Sequence, residues 1–456
     1  MRHLIRLLAF TLICAPTGWA EAAWTDYFGA HYDAASWAGS LRDPGGPGRF
    51  GYWFPSARND RRLTSPDSGS AEEIRAQVVR GDVVLNVGGV GSGRDPEMVG
   101  GFIKGVRADL GATWKRELAE RVRRVARIPG AAEHVYWQFG NEINGPRIVE
   151  NLAKGSGMGG GGGFEGAMAA SIQPYVEYFL APGVEAVRMA SREVYGDPLR
   201  IHVMLGSLAN ARHPRSINWY EQLLDYTIKG DYAPSLAGRK VYEIVDSLSI
   251  HYLVSSPDDG WSDVLDSLSA KWVGKGGVRR IWATEELGVR RAQGGYGAAT
   301  AVKVAARYLD WWQRHGWPAD RGHCFFWGAE MGRTGTRATE ALGLLAEFTG
   351  PANLNRVPLQ GQEGMETYLF SVDGDRKRVL VVSPRGGLRL GSARFQSLAI
   401  PANGWGGARG RAFVFSANGT EQLSATGQGG SALTIGLDRP VEIPDNATLM
   451  ILLERG

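Results

Sequence analysis

At 456 residues the chain is too long for one ordinary core, and 43% hydrophobic with 21% charged residues lies near globular averages, which excludes a disordered or fibrous protein. A formal net charge of +4, spread along the chain rather than gathered in a basic block, gives no footprint for nucleic acid. Only two cysteines are present, one of them in the first segment, so no internal disulfide framework is expected and Cys324 reads as a buried apolar residue.

In chain order, Arg2 and Arg6 precede the apolar run LLAFTLICA, and the small residues of GWAEAA follow, the three-part pattern of a secretory signal cleaved after Ala20 or Ala22. The run is too short for a comfortable membrane span of ~20 residues. A secreted or periplasmic protein is therefore expected, with no integral span once residues 1–22 are removed. From there to about residue 345, apolar runs alternate with long amphipathic stretches, the signature of repeated βα units around a parallel sheet. The predicted strands are YFGAHY near residue 30, a second near FGYWF, DVVLNVGG at 82–89, HVYWQFGNE at 134–142, IHVMLGS at 201–207, DSLSIHY at 246–252, RIWATEE at 280–286 and HCFFWGA at 323–329. Between them ATWKRELAERVRRVARI and TAVKVAARYLDWWQRH carry apolar residues at helical intervals. The glycine-rich GSGMGGGGGFEG at 155–166 reads as a flexible loop following the strand that ends in Glu142. After Pro351, short alternating segments such as TYLFSV, RVLVVS and LMILLE separated by turn residues predict a β-sandwich. The expected architecture is α/β: a (β/α)8 barrel over 23–348 and a C-terminal β-sandwich over 349–456.

The carboxyl ends of barrel strands converge, so acids ending two different strands can face one small volume. Glu142 ends VYWQFGNE, and Glu285 and Glu286 end RIWATEE, 143 or 144 residues later. Strand-end glutamates preceded by aromatics suit glycosidic cleavage, which needs one carboxyl to protonate the leaving oxygen and one carboxylate to meet oxocarbenium charge. The 15 tryptophans suit the apolar faces of sugar rings. Other chemistries find little support. The eight histidines show no HExxH spacing, NVGGVGSGR misses both the dinucleotide and P-loop patterns, and no GxSxG elbow occurs. Neither a metal nor a cofactor is expected.

Against this reading, WQFGNEIN resembles the fourth-strand Asn-Glu motif of the clan A glycoside hydrolases, and IWATEELG resembles their seventh-strand nucleophile motif. SIHYL at 249–253 is similar to their sixth strand and FFWG at 325–328 to their eighth. A barrel followed by a sandwich is most similar to family 39 and related bacterial exopolysaccharide-cleaving hydrolases. The resemblance implies a retaining O-glycosyl hydrolase in which Glu142 is acid and then base and Asn141 beside it holds a sugar hydroxyl. It implies that Tyr252 hydrogen-bonds the nucleophile and that His251 and Trp327 line the cleavage subsite. The motif departs from the clan at Thr284-Glu285-Glu286-Leu287-Gly288, one residue longer than usual. Counting from the strand selects Glu285 and counting back from Gly288 selects Glu286; stiff strand register favours Glu285. His31, Asn86 and Arg58 are candidates for binding sugar, and Tyr52, Trp53, Trp137, Trp261 and Trp272 are candidate platforms, about half of them expected in the core. A polysaccharide or oligosaccharide is the expected partner of a monomer. A non-catalytic polysaccharide-binding barrel and a transglycosylase using the same residues are the alternatives.

Overall fold

The computed structural model describes residues 23–32, 56–59, 70–91, 96–157, 163–254, 260–286, 295–326, 337–350, 352, 354–359, 364–384, 393–400, 405–416, 418–428, 433–444 and 447–455. Eight parallel strands close into a barrel: β1 Phe28–Tyr32, β2 Ser56–Asn59, β3 Val83–Gly91, β4 Val135–Asn141, β5 His202–Leu205, β6 Ser247–His251, β7 Arg280–Glu286 and β8 Gly322–Phe326. Closure is made by β1 against β8, with Phe28 opposite Cys324 and Ala30 opposite Phe326. The second strand, expected near FGYWF, is Ser56–Asn59; FGYWF itself, residues 50–54, lies outside the described residues. Its sequence SARN has no apolar run to betray it. Pairing with β1 and β3 on its two sides, not composition, makes it a strand.

Strands 4 and 6 are buried along nearly their whole length, as expected of parallel strands covered by helices outside and by barrel contents inside. Helix Ala112–Ala126 shows how the outer layer is built: Trp114, Leu118, Ala119, Val122, Val125 and Ala126 recur at three- and four-residue steps and are buried, while the arginines face out. Inside, Val84, Tyr136, Met204, Trp282 and Phe325 form an apolar layer. One strand step further along, Gln138, Ser249 and Thr284 form a buried polar layer beneath the carboxyl ends. Cys324 is a free buried thiol, as expected. Trp137, Trp261 and Trp272 are all core residues, not sugar platforms, and Tyr52 and Trp53 lie outside the described residues.

The last barrel helix, Arg337–Thr349, leads into the β-sandwich module. Its strands are β9 Leu354–Val357, β10 Met365–Val372, β11 Lys377–Pro384, β12 Ala393–Ile400, β13 Arg409–Ser416, β14 Gly419–Gln428, β15 Leu433–Ile443 and β16 Thr448–Glu454. They form one continuous antiparallel ladder in the order 12-15-14-13-16-11-10-9. Period-two alternation sorts the side chains. Phe370, Val379, Val381, Phe413, Met450 and Leu452 join the barrel's core, whereas Leu369, Leu380, Val382, Val414, Ile451 and Trp405 make a second core within the module. Helix Gly295–Arg314 is the contact element: the Thr448 hydroxyl donates to the Ala299 carbonyl, and Arg307 pairs with Glu366.

Candidate active site

The end of β4 is shaped from its neighbour. The chain at Gly206, just past β5, passes so close to β4 that an added Cβ would lie 2.3 Å from the Phe139 carbonyl and 2.8 Å from the Tyr175 hydroxyl, so only glycine fits. The same tyrosine, in a π-helical turn at Tyr175–Leu180, donates to the Phe139 carbonyl at 2.7 Å. This approach delivers buried Ser207, whose hydroxyl oxygen accepts from the Glu142 N–H at 2.7 Å and lies 3.4 Å from Asn141 Oδ1. Glu142 itself is left-handed, φ 47°, and Tyr252 after β6 is left-handed too, φ 53°. Non-glycine residues are rare there, and such strain collects where a site demands it.

These corners bring Glu142, His251 and Glu285 together. One oxygen of each carboxylate and a nitrogen of the imidazole lie within 4.8 Å of one another. His251 Nδ1 stands 3.6 Å from Glu142 Oε1 and 3.7 Å from Glu285 Oε2. The His251 side chain is 0% exposed, Glu285 7% and Glu142 28%, so the site is reached from the Glu142 side.

A buried chain of hydrogen bonds orients the histidine. Gln138 Nε2 donates to the Gly140 carbonyl at 2.8 Å, which turns its Oε1 toward Ser249 Oγ at 3.4 Å. The Ser249 hydroxyl lies 2.5 Å from Thr284 Oγ1, and Thr284 Oγ1 lies 3.0 Å from His251 Nε2. If Ser249 donates to Gln138, it accepts from Thr284, which then accepts from His251 Nε2–H. In that arrangement the relay fixes a proton on Nε2 and turns Nδ1 toward the two carboxylates.

The adjacent glutamates point apart, for a reason the strand pattern misses. Strict alternation from inward Trp282 and Thr284 would turn Glu285 outward. Instead β7 carries a bulge: Ile250 and His251 of β6 pair with Ala283 and Glu285, and Cys324 and Phe326 of β8 pair with Ala283 and Glu286. The extra residue is absorbed in the strand rather than in the following loop, and it re-aims the side chains. Glu285 thus meets Glu142 and His251. Glu286, fully buried, turns to the helix layer, where its Oε1 accepts from the Val254 N–H at 3.0 Å and the Tyr308 hydroxyl at 3.0 Å.

Other expected residues fall as follows. Tyr252 meets Glu285 through the main chain, its N–H donating to the Glu285 carbonyl at 3.0 Å. Asn86 pairs in register with Gln138 and faces the interior above Val84; its Oδ1 is buried with no hydrogen-bond partner among the described residues. His31 and Arg58 are in register on β1 and β2, but their side chains lie outside the described residues, as does Trp327. The glycine-rich stretch joins helices Pro146–Gly155 and Gly163–Pro174, with 158–162 outside the described residues. Ser207, Gln138, Ser249 and Thr284 are the participants that sequence reasoning did not single out. Within the strands their signal was a polar residue in an otherwise apolar run: Gln138 in β4, Ser249 in β6 and Thr284 in β7.

At the opposite end of the barrel a depression of about 780 Å³ opens among the amino ends of the strands. Around it His134 pairs with Asp82 at 3.0 Å, and Asp246 with His202 at 3.1 Å and with Arg280 at 3.6 Å. Burial opposes the charge on Asp246, but His202 and Arg280 hold its carboxyl below the ordinary range. Barrel chemistry belongs to the carboxyl ends, so this end reads as structural. The Glu142–His251–Glu285 set is also the one group among the described residues whose donors could enclose a divalent cation.

Compared by sequence, the chain matches no protein-family model and no curated protein. Compared by structure, it is similar to a family 39 glycoside hydrolase from the gut symbiont Bacteroides cellulosilyticus WH2, at 12% identity over 95% of this chain and 82% of that one, with a TM-score of 0.52. An arabinofuranosidase aligns at 9% identity over 95% and 98% of the two chains, with a TM-score of 0.46. A family 44 xyloglucanase of Paenibacillus polymyxa aligns at 12% identity over 74% and 70%, with a TM-score of 0.42. The first likeness shows the fold: a (β/α)8 barrel followed by a β-sandwich.

Proposed function

We propose that the protein is a retaining glycoside hydrolase acting on a polysaccharide by double displacement. The observation that carries this is the approach of Glu142 and Glu285, within 4.8 Å between carboxylate oxygens, at the carboxyl ends of β4 and β7. Retention needs carboxyls ~5–5.5 Å apart, so that one can reach the anomeric carbon itself; inversion needs ~6.5–9.5 Å, room for a water between. Glu285, the more deeply buried of the two, is the nucleophile. Glu142, more exposed, is the acid that gives its proton to the glycosidic oxygen as the C–O bond breaks and an ester to Glu285 forms. In the second step Glu142 takes a proton from water, whose oxygen attacks the anomeric carbon and frees Glu285.

His251 stands between the two acids, its Nδ1 3.6 Å from Glu142 and 3.7 Å from Glu285. Asn141 and Asn86 offer carboxamides to sugar hydroxyls, and His31, Arg58 and Trp327 are kept as candidate sugar contacts by the sequence alone. The division into an exported leader over 1–22, a catalytic barrel over 23–348 and a sandwich over 349–456 belongs to this reading, as does a bacterial exopolysaccharide as substrate. Among the described residues no helix is long and apolar enough to cross a membrane. A transglycosylase would use the same residues with a sugar as the second acceptor.

The test is proton NMR of the first product from a polysaccharide panel. Initial retention of the anomeric configuration supports the reading, and an inverted first product refutes it. The Glu-His-Glu donor set favours one second reading, a metal-assisted hydrolase. Loss of activity on chelation, restored by a divalent cation, would select it.

A further inference from the structure

Glu286, the glutamate that the chemistry leaves aside, is buried in a contact that ties the C-terminal module to the active site. Its Oε1 accepts from the Val254 N–H. The carbonyl of the same residue accepts from Arg307 Nη1 at 2.7 Å. Arg307, 0% exposed on helix Gly295–Arg314, is gripped in turn by both oxygens of Glu366 on β10, with Nε–Oε2 at 2.8 Å and Nη2–Oε1 as the second arm. Burial works against the guanidinium charge, but Glu366 overrides it and raises the pKa. Tyr308, one residue along the helix, donates its hydroxyl to the same Glu286 oxygen.

Val254 lies two residues beyond Tyr252, the left-handed corner that follows His251. A non-glycine residue stays in that conformation only when its surroundings hold it. Here both main-chain groups of Val254 are held, from β7 on one side and from the helix and β10 on the other. A buried ion pair is a poor device for stability as such, because desolvation cancels much of its attraction. Its forked geometry is a good device for fixing a position.

We infer that Glu286, Arg307 and Glu366 are positioning residues that clamp Val254 and so place His251 and Tyr252 against Glu285, making the C-terminal module part of the active-site architecture. The inference rests on the glycosidase reading only for the activity by which it is measured. Because Glu286 acts as a hydrogen-bond acceptor, Glu286→Gln keeps the clamp and stays near wild-type activity. Glu286→Ala releases it. The expected loss is about 10²-fold in kcat, the size of an ångström-scale misplacement, with a smaller change in KM.

Hydrogen exchange of the peptide spanning 247–254 supplies a readout that needs no substrate. Exchange should rise in Glu286→Ala and stay at the wild-type level in Glu286→Gln. Should Glu286→Ala fail to fold, Glu366→Gln and Tyr308→Phe, which keep shape and remove single contacts, carry the test and should raise exchange in the same peptide. Wild-type exchange in a folded Glu286→Ala, or in both milder variants, overturns the clamp. A folded Glu286→Gln as inactive as Glu285→Gln also overturns it, because Glu286 would then act in the chemistry. Full activity in Glu285→Ala would instead sink the glycosidase assignment and leave the exchange result standing.

Discussion

His323 couples the stability of the barrel to pH. The ring is fully buried on β8, packed against Trp282 at 4.9 Å and Phe325 at 4.5 Å between centroids, and neither nitrogen has a hydrogen-bond partner among the described residues. Burial drives its pKa from 6.5 down to about 4, opposed weakly by Asp82 and by the Phe28 main chain, which falls short of good hydrogen-bond geometry. On acidification the unfolded chain takes up a proton near pH 6.5 that the folded protein refuses until near pH 4. Stability from this residue is therefore complete above pH 6.5 and lost progressively as pH falls toward 4. The two values give a loss of about 2 kcal/mol between pH 7 and 5 and about 3 kcal/mol once both forms are protonated. His323→Phe keeps a flat ring in the aromatic stack and abolishes the titration. Urea unfolding of wild type and variant, followed by tryptophan fluorescence at pH 7, 6 and 5, should show the wild type losing about 2 kcal/mol more than the variant over that range. Equal pH dependence in the two proteins would refute the assignment of a neutral buried imidazole.

Two further perturbations address the chemistry. Glu285→Ala should lower the rate by about 10⁴-fold or more. Added azide should partly restore turnover and yield a glycosyl azide of inverted configuration; rescue at Glu286 instead would move the nucleophile by one residue. Thr284→Val keeps the shape of the side chain but cuts the relay between Ser249 and His251. The expected effect is a kcat about tenfold lower, equivalent to ~1.4 kcal/mol, with KM little altered. An unchanged kcat and pH profile would show that the relay does not orient His251.

Much of this protein was legible from the residues in order. Alternating apolar and amphipathic stretches mark the barrel because each βα unit must bury a strand between two layers, and the short alternating strands after Pro351 mark the module because its faces differ every second residue. Glu142 and the Glu285–Glu286 pair could be found because strand ends in a barrel share one face whatever their distance in sequence. Tertiary structure decided the rest. SARN is a strand only because two neighbours pair with it. Trp137, Trp261 and Trp272 are core because aromatics serve interiors and sugar faces equally well, and composition cannot separate the two. Which of the adjacent glutamates faces Glu142 and His251 does not follow from stiff alternation along the strand. An extra residue in β7, measured against both neighbours, turned the two carboxylates around, and a bulge is a property of paired strands that no single strand records.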